Sequence, residues 1–97
     1  MPDVTLTGQL ICRGAEEDAV VRAHLPRHIA LTRAEPGCLS FAVVPSAAPW
    51  VWDVAERFAD EASFRAHQAR VAASEWGGAT AGIERRYTVL GLSRAGS

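Results

Sequence analysis

A hairpin in the middle of the chain decides the fold: residues 38–58 read CLSFAVVPSAAPWVWDVAERF. Its two outer parts, residues 38–44 and 50–58, are rich in Val, Phe and Trp, which favour β-strands. The link between them, residues 45–49, contains two prolines and a serine, which favour a turn. The segment therefore predicts two adjacent antiparallel strands.

Strands are also predicted at both ends of the chain. Residues 4–12 alternate apolar and polar side chains with the period of two that is typical of a strand. Residues 83–92 form the last predicted strand, with Tyr87 and Val89 on one face. The glycine-containing stretch at residues 76–78 is expected to end the helical region before it.

A long helix is predicted between the first strand and the hairpin, over residues 15–34. Val21, Leu25 and Ile29 recur every four residues, and three acidic residues fall in the first turn, where the helix dipole favours them. Pro26 lies inside this stretch. Because proline lacks a backbone donor, we expect either a kink or a second helix with Pro26 in its first turn.

A second helix is predicted after the hairpin. Asp60 is a good N-cap, and the helix is expected to run to about Ser74. Phe64, His67 and Val71 are spaced by three and four residues, so they lie on one face. This inward face therefore carries a histidine.

The predicted order is β, α, β, β, α, β, which is the split βαβ arrangement of the ferredoxin-like α+β fold. That fold has an antiparallel sheet with both helices on one face. In the second strand Leu39, Phe41 and Val43 alternate with Ala42 and Val44, so both faces look apolar. A second copy packed sheet to sheet would cover the bare face, and we expect a homodimer.

Composition narrows the class of protein. Its 97 residues fit one domain, residues 1–97, and we expect residues 1–3 and 93–97 to be flexible ends. Ten basic and eleven acidic residues are interspersed, with a net charge of −1, which argues against a nucleic-acid partner. No stretch approaches the ~18 apolar residues of a membrane span, and the N-terminus has no signal-peptide pattern. We therefore expect a cytoplasmic protein with no membrane partner.

The cysteines and histidines do not form a metal-ligand pattern. Cys12 and Cys38 are too few for a disulfide framework and belong to no CxxC motif, so both are expected to be reduced. His24 and His28 have the i, i+4 spacing of a metal pair on a helix. Pro26 lies between them and no third ligand is nearby, so we expect no metal site.

Two stretches carry a resemblance to a known family: HIALTRAEPGCLSF at residues 28–41 and ERFADEASFRAH at residues 56–67. They resemble the antibiotic biosynthesis monooxygenase family, in particular its small quinol monooxygenases, over nearly the whole chain. The resemblance implies a dimeric α+β barrel with one pocket per subunit between helices and sheet. It also implies oxidation of electron-rich phenols or quinols by O₂ without metal, flavin or haem.

His67 is the main candidate for catalysis. It matches the histidine that ends the second family motif, and it lies on the inward face of its helix. A neutral imidazole there could accept a phenolic proton near neutral pH. The alternative is a structural histidine that is hydrogen-bonded within the core. His28 is the second predicted catalytic residue, as a hydrogen-bond partner in the pocket, and the alternative for it is a position on the surface.

Aromatic side chains are expected to line the pocket around a planar substrate. The predicted substrate-binding residues are Trp52, Glu56, Phe64, Trp76 and Tyr87. Glu56 is the one carboxylate on an otherwise aromatic face of its strand, and it either orients His67 or is an ordinary charge at the edge of the sheet. Arg85 and Arg86 point to opposite faces, and both are expected to be solvated rim charges.

These observations favour a cofactor-independent monooxygenase that oxidises a small aromatic quinol or anthrone with O₂. Two alternatives remain. One is a non-catalytic dimeric module that binds small molecules or acts in a stress response. The other is an isomerase of a small carbonyl metabolite, which would use the same histidine without O₂.

Overall fold

A computed structural model describes residues 3–93. The predicted tail beyond residue 93, and residues 1 and 2, lie outside the described residues. The elements, in chain order, are β1 (Val4–Ile11), α1 (Ala15–Arg33), β2 (Cys38–Pro45), β3 (Val51–Phe58), α2 (Glu61–Ala72), α3 (Glu75–Ala79) and β4 (Glu84–Leu90). The predicted order is confirmed, with one short helix added.

The four strands form one antiparallel sheet in the order β2-β3-β1-β4, and the central hairpin pairs as predicted. This is the ferredoxin-like α+β arrangement, in which the helices cover one face. The hydrophobic core lies between that face and the helices, and includes Val4, Leu10, Val21 and Phe58.

Several element bounds differ from the predicted ones by one or two residues. The largest differences are in β4, which begins at Glu84 and ends at Leu90, and in α2, which ends at Ala72. The third strand begins at Val51, because Trp50 has a φ of 64°, in the left-handed region, and belongs to the turn. Asp60 caps α2 as predicted: its side chain accepts a hydrogen bond from the Ser63 backbone N–H.

The prediction that Pro26 could start a second helix is wrong, because α1 runs unbroken from Ala15 to Arg33. Pro26 and Arg22, whose carbonyl loses its i+4 partner, both lie on the exposed side of α1. Water can therefore satisfy that carbonyl, and the helix continues.

The prediction that residues 76–78 end the helical region is also wrong, since they form the body of α3. Ser74 caps this helix by accepting a hydrogen bond from the Gly77 backbone N–H. A Cβ at Gly77 would lie 2.0 Å from the carbonyl oxygen of Val71. Gly77 therefore serves the close packing of α3 on the end of α2 rather than a helix stop.

The outer face of the sheet is less apolar than predicted. Val44 and Leu90 are exposed there, but Asp53 and Arg57 lie among them. The alternation predicts that Leu39 shares a face with Phe41, but Leu39 is exposed while Phe41 is buried, because the β2 register shifts between residues 38 and 40. A bulge of this kind turns the next side chain to the other face.

Candidate active site

A cavity of about 150 Å³ lies between the sheet and the three helices. Five of the seven residues predicted for the site line it: His28, Glu56, His67, Trp76 and Tyr87. The remaining walls come from Leu6, Phe41, Val43, Val54, Gln68, Val71 and Arg85. Most of the lining is apolar or aromatic, and a few titratable groups converge on it, as in many ligand sites.

A glycine of β1 lies between two strands that contribute to the cavity wall. Gly8 pairs with Val54 on one side and Tyr87 on the other, and both of these neighbours line the cavity. Gly8 has a φ of 150°, and a Cβ there would lie 2.0 Å from the carbonyl oxygen of Arg86. The inner face of the sheet therefore has no side chain at the position between Val54 and Tyr87.

His67 is buried in the wall of the cavity, as its helical spacing predicted, with 2% of its surface exposed. Its Nδ1 lies 3.1 and 3.0 Å from the two carboxylate oxygens of Glu35. A carboxylate only accepts hydrogen bonds, so Nδ1 carries the proton and the neutral ring keeps its lone pair on Nε2. Burial lowers the pKa of His67, while the hydrogen bond to Glu35 opposes that effect.

Glu35 is the partner of His67 that sequence reasoning missed. Glu35 lies in the turn between α1 and β2. Its carboxylate also accepts a hydrogen bond of 2.6 Å from Nε of Arg70, whose Nη2 donates to Oγ1 of Thr32. Arg70 and Thr32 thereby fix Glu35, and Glu35 fixes the ring of His67. Glu35 falls within the first family motif, which is the signal that could have identified it.

Glu56 lies on the other side of His67 and is 8% exposed. Its Oε1 is 3.6 Å from Nε2 of His67 and has no hydrogen-bond partner among the described residues. Burial, and then the charge of Glu35, raise the pKa of Glu56 to about 7. Near neutral pH this group therefore exchanges between a carboxylic acid and a carboxylate inside the cavity. The carboxylate that hydrogen-bonds to His67 is that of Glu35, at Nδ1, whereas Glu56 lies beyond hydrogen-bond distance of Nε2.

His28 and Trp76 form another wall. Their rings stack with centroids 4.5 Å apart and an angle of 5° between the planes. Nδ1 of His28 is buried without a hydrogen-bond partner among residues 3–93. Burial, followed by the nearby charges of His67, Arg70 and Arg85, lowers the pKa of His28 to about 3. His28 is therefore a neutral group that can hydrogen-bond to a ligand.

Tyr87 and Arg85 line the cavity from β4. Burial raises the pKa of Tyr87 to about 12, so its hydroxyl stays protonated and can donate. Arg85 was predicted to be a solvated rim charge, and that prediction is wrong. Arg85 lies on the same inward face of β4 as Tyr87. Its guanidinium donates hydrogen bonds to the backbone carbonyls of Thr80 and Ile83. Arg86 is exposed, as predicted.

Trp52 and Phe64 are buried away from the cavity. Trp52 lies on the same face of β3 as Glu56, but four residues away, and its indole N–H donates to Asp18 of α1 at 3.0 Å. Phe64 packs edge-on against Phe58, with ring centroids 5.8 Å apart. Both aromatic side chains contact other parts of the core.

The cysteines lie outside the cavity as free thiols, Cys12 buried and Cys38 half-buried. Within residues 3–93, no group of three or more His, Cys, Asp or Glu side chains has a geometry that could hold a metal ion. None of the described helices combines the length and apolar character needed to cross a membrane.

The arrangement is suited to proton transfer within an apolar space. One side of the cavity holds a base, Nε2 of His67, next to a carboxyl group that changes protonation near neutral pH. The other sides offer hydrogen bonds from His28 and Tyr87. Removal from water strengthens each of these interactions.

Solved structures share this fold at low sequence identity. Rv0793 from Mycobacterium tuberculosis has a TM-score of 0.73 at 23% identity, with 99% of this chain and 100% of that chain covered. SnoaB from Streptomyces nogalater, described as a cofactor-independent oxygenase, has a TM-score of 0.77 at 14% identity, with 98% and 97% covered. PA3566 from Pseudomonas aeruginosa has a TM-score of 0.73 at 19% identity, with 97% of both chains covered.

No curated protein matches the chain. The family model described as antibiotic biosynthesis monooxygenase matches residues 7–77. This range begins within β1 and ends within α3, so it includes His28, Glu35, Glu56, His67 and Trp76. The chain belongs to the antibiotic biosynthesis monooxygenase family.

Proposed function

We propose that this protein is a cofactor-independent oxygenase that oxidises a small phenol or quinol with O₂. The observation that carries the proposal is the pair formed by His67 and Glu56, which places a base and a proton-exchanging acid in one apolar cavity. The fold shared with SnoaB, a cofactor-independent oxygenase, is consistent with it.

The size of the cavity favours a substrate with one ring. An apolar cavity of about 150 Å³ is known to hold a benzene molecule, and the cavity here has about that volume. Of the quinols and anthrones that the sequence suggests, the quinols of one ring therefore fit best. Phe41 and Trp76 offer aromatic surfaces to such a ring.

In the first step His67 removes a proton from a substrate hydroxyl. The lone pair on Nε2 accepts the proton, and Glu35 stabilises the imidazolium that forms. His28 and Tyr87 can hydrogen-bond to the resulting phenolate oxygen. The anion is a better electron donor than the phenol, so deprotonation prepares the substrate for O₂.

In the second step the phenolate gives one electron to O₂, which forms a phenoxyl radical and superoxide. The two radicals combine through a new C–O bond at a ring carbon that carries hydrogen, and the product is a peroxide anion. The redox chemistry belongs to the substrate and O₂. The protein excludes water and holds the reactants together.

In the last step the peroxide anion takes a proton and the hydroperoxide loses water. One group removes the hydrogen from the ring carbon while another protonates the departing oxygen, and the O–O bond breaks. Glu56 and His67 are the two groups that supply the acid and the base for this elimination. The sum is one phenol and one O₂ converted to one quinone and one water.

We also propose that the protein is a homodimer. Val44 and Leu90 on the outer face of the sheet are 50% and 64% exposed, and Trp50 at its edge is 47% exposed. A second copy packed sheet to sheet would remove this apolar surface from water. The side chains of Arg57 and Asp53 lie on the same face of the sheet. In the dimer they would form ion pairs across the interface or lie at its rim.

An isomerase of a small carbonyl metabolite is the second candidate. A base next to an acid can move a proton between two carbons as well as it can assist an oxidation. The same Glu56–His67 pair supports this reading, and the two functions differ in their need for O₂.

Oxygen uptake tests the proposal. We expect uptake with one-ring quinols and electron-rich phenols that is unaffected by a metal chelator. Uptake abolished by the chelator would contradict a cofactor-independent reaction. No uptake, with a carbonyl substrate converted under nitrogen, would favour the isomerase. No turnover, with a ligand bound, would favour a binding module.

A further inference from the structure

Two cavities meet at the stacked rings of His28 and Trp76. The inner one is the candidate active site. The outer one, of about 170 Å³, is a groove between α1 and the end of α2 with α3. His28 and Trp76 are the only residues that line both, within the part of the chain that the structure describes.

The ring of Trp76 is held in place by its own backbone. Trp76 belongs to the one-turn helix α3, which Ser74 caps and which packs closely on Val71 through Gly77. Oγ1 of Thr80 donates a 2.6 Å hydrogen bond to the carbonyl oxygen of Trp76. Trp76 is 7% exposed, and its indole lies flat against the imidazole of His28 on α1.

We propose that Trp76 is a specificity-determining residue that limits the ligand to one ring by separating the inner cavity from the outer groove. The inference rests on the proposed function only in taking the inner cavity as the substrate site. Each space alone has the volume of about one ring. The two spaces joined would accept two or three fused rings.

The test measures binding rather than turnover. Isothermal titration calorimetry under nitrogen compares three probes of increasing size: phenol, 1-naphthol and anthrone. The variant is Trp76→Val, and the matched control is Trp52→Val, which removes another buried indole without touching either cavity. Because loss of a large buried ring is destabilising, Trp76→Phe is the milder second variant, and circular dichroism checks the fold of all three.

The wild-type protein and Trp52→Val should bind phenol and exclude anthrone. Trp76→Val should bind anthrone at least about tenfold more tightly than the wild type does, and Trp76→Phe should gain affinity for 1-naphthol. Equal affinities of the wild type for phenol and anthrone would overturn the proposal. So would a failure of both folded Trp76 variants to gain affinity for the larger probes.

The outcome is separable from that of the proposed function. Size-selective binding without oxygen uptake would leave the role of Trp76 intact and reject the oxygenase. Oxygen uptake by a wild-type protein that binds all three probes would leave the oxygenase intact and reject the role of Trp76. Binding of no probe by any variant would contradict both.

Discussion

Replacing Glu56 by Gln should change how stability depends on pH. Gln keeps the shape and polarity of the side chain but cannot ionise. The pKa of Glu56 is raised by burial from 4.5 to about 7, so between these values the folded state holds a proton that the unfolded state releases. The contribution of this group to stability is therefore complete below about pH 4.5 and is lost as the pH rises through about 7.

The size of the effect follows from the same two values. At about 1.4 kcal/mol for each pKa unit, the interval from 4.5 to about 7 corresponds to about 3 kcal/mol. The wild type should lose about that much free energy of unfolding between pH 4.5 and pH 8 relative to Glu56→Gln. The other charged or titratable groups that face Glu56 are common to both proteins: His28, Glu35, His67, Arg85 and Tyr87.

Urea unfolding at pH 4.5, 6 and 8 measures the effect, with Glu16→Gln as a control at an exposed carboxylate of α1. The wild type and the control should follow parallel curves. A stability difference between wild type and Glu56→Gln that does not vary with pH would refute the reasoning. A difference that grows in favour of the wild type as the pH rises would refute it too.

Three further predictions concern the partner of His67, the thiols and the assembly. Glu35→Gln should lower kcat/KM for quinol oxidation about 10- to 100-fold, because the ring of His67 loses its anionic partner. The pH profile of kcat/KM should change while KM stays nearly constant. An unchanged pH profile would argue for a purely structural role of Glu35. Cys38→Ala should keep activity near that of the wild type, and mass spectrometry after alkylation without reductant should find both thiols free; a loss beyond about tenfold in a folded variant would contradict this. Light scattering at micromolar concentration should give the mass of a dimer for the wild type and of a monomer for Leu90→Glu, whereas a wild-type monomer would contradict the sheet-to-sheet model.

The strands and the inward face of α2 could be predicted because local patterns determine them. Alternation in the first strand and the cap at Asp60 depend on neighbours in sequence, and the i, i+3 and i+4 spacing of α2 placed His67 inside. The fold followed from the order of these elements.

The contact between Glu35 and His67 could not be predicted from local patterns. Glu35 and His67 are 32 residues apart, and they meet only because the turn after α1 packs beside α2. Local rules also misled at two positions. Pro26 is tolerated because its side of α1 faces water, and Gly77 serves packing against Val71 instead of ending a helix. These outcomes depend on tertiary surroundings that the local sequence does not encode.

The most direct measurement is kcat/KM for a one-ring quinol with wild type, His67→Ala and His67→Gln, followed by oxygen uptake. General-base catalysis contributes about 10²- to 10⁴-fold, so both variants should lose activity by about that factor while circular dichroism shows an intact fold. Retention of most activity by Gln alone would mean that His67 only positions the substrate. Retention by Ala would contradict the account, because the chemistry would then occur away from Nε2 of His67.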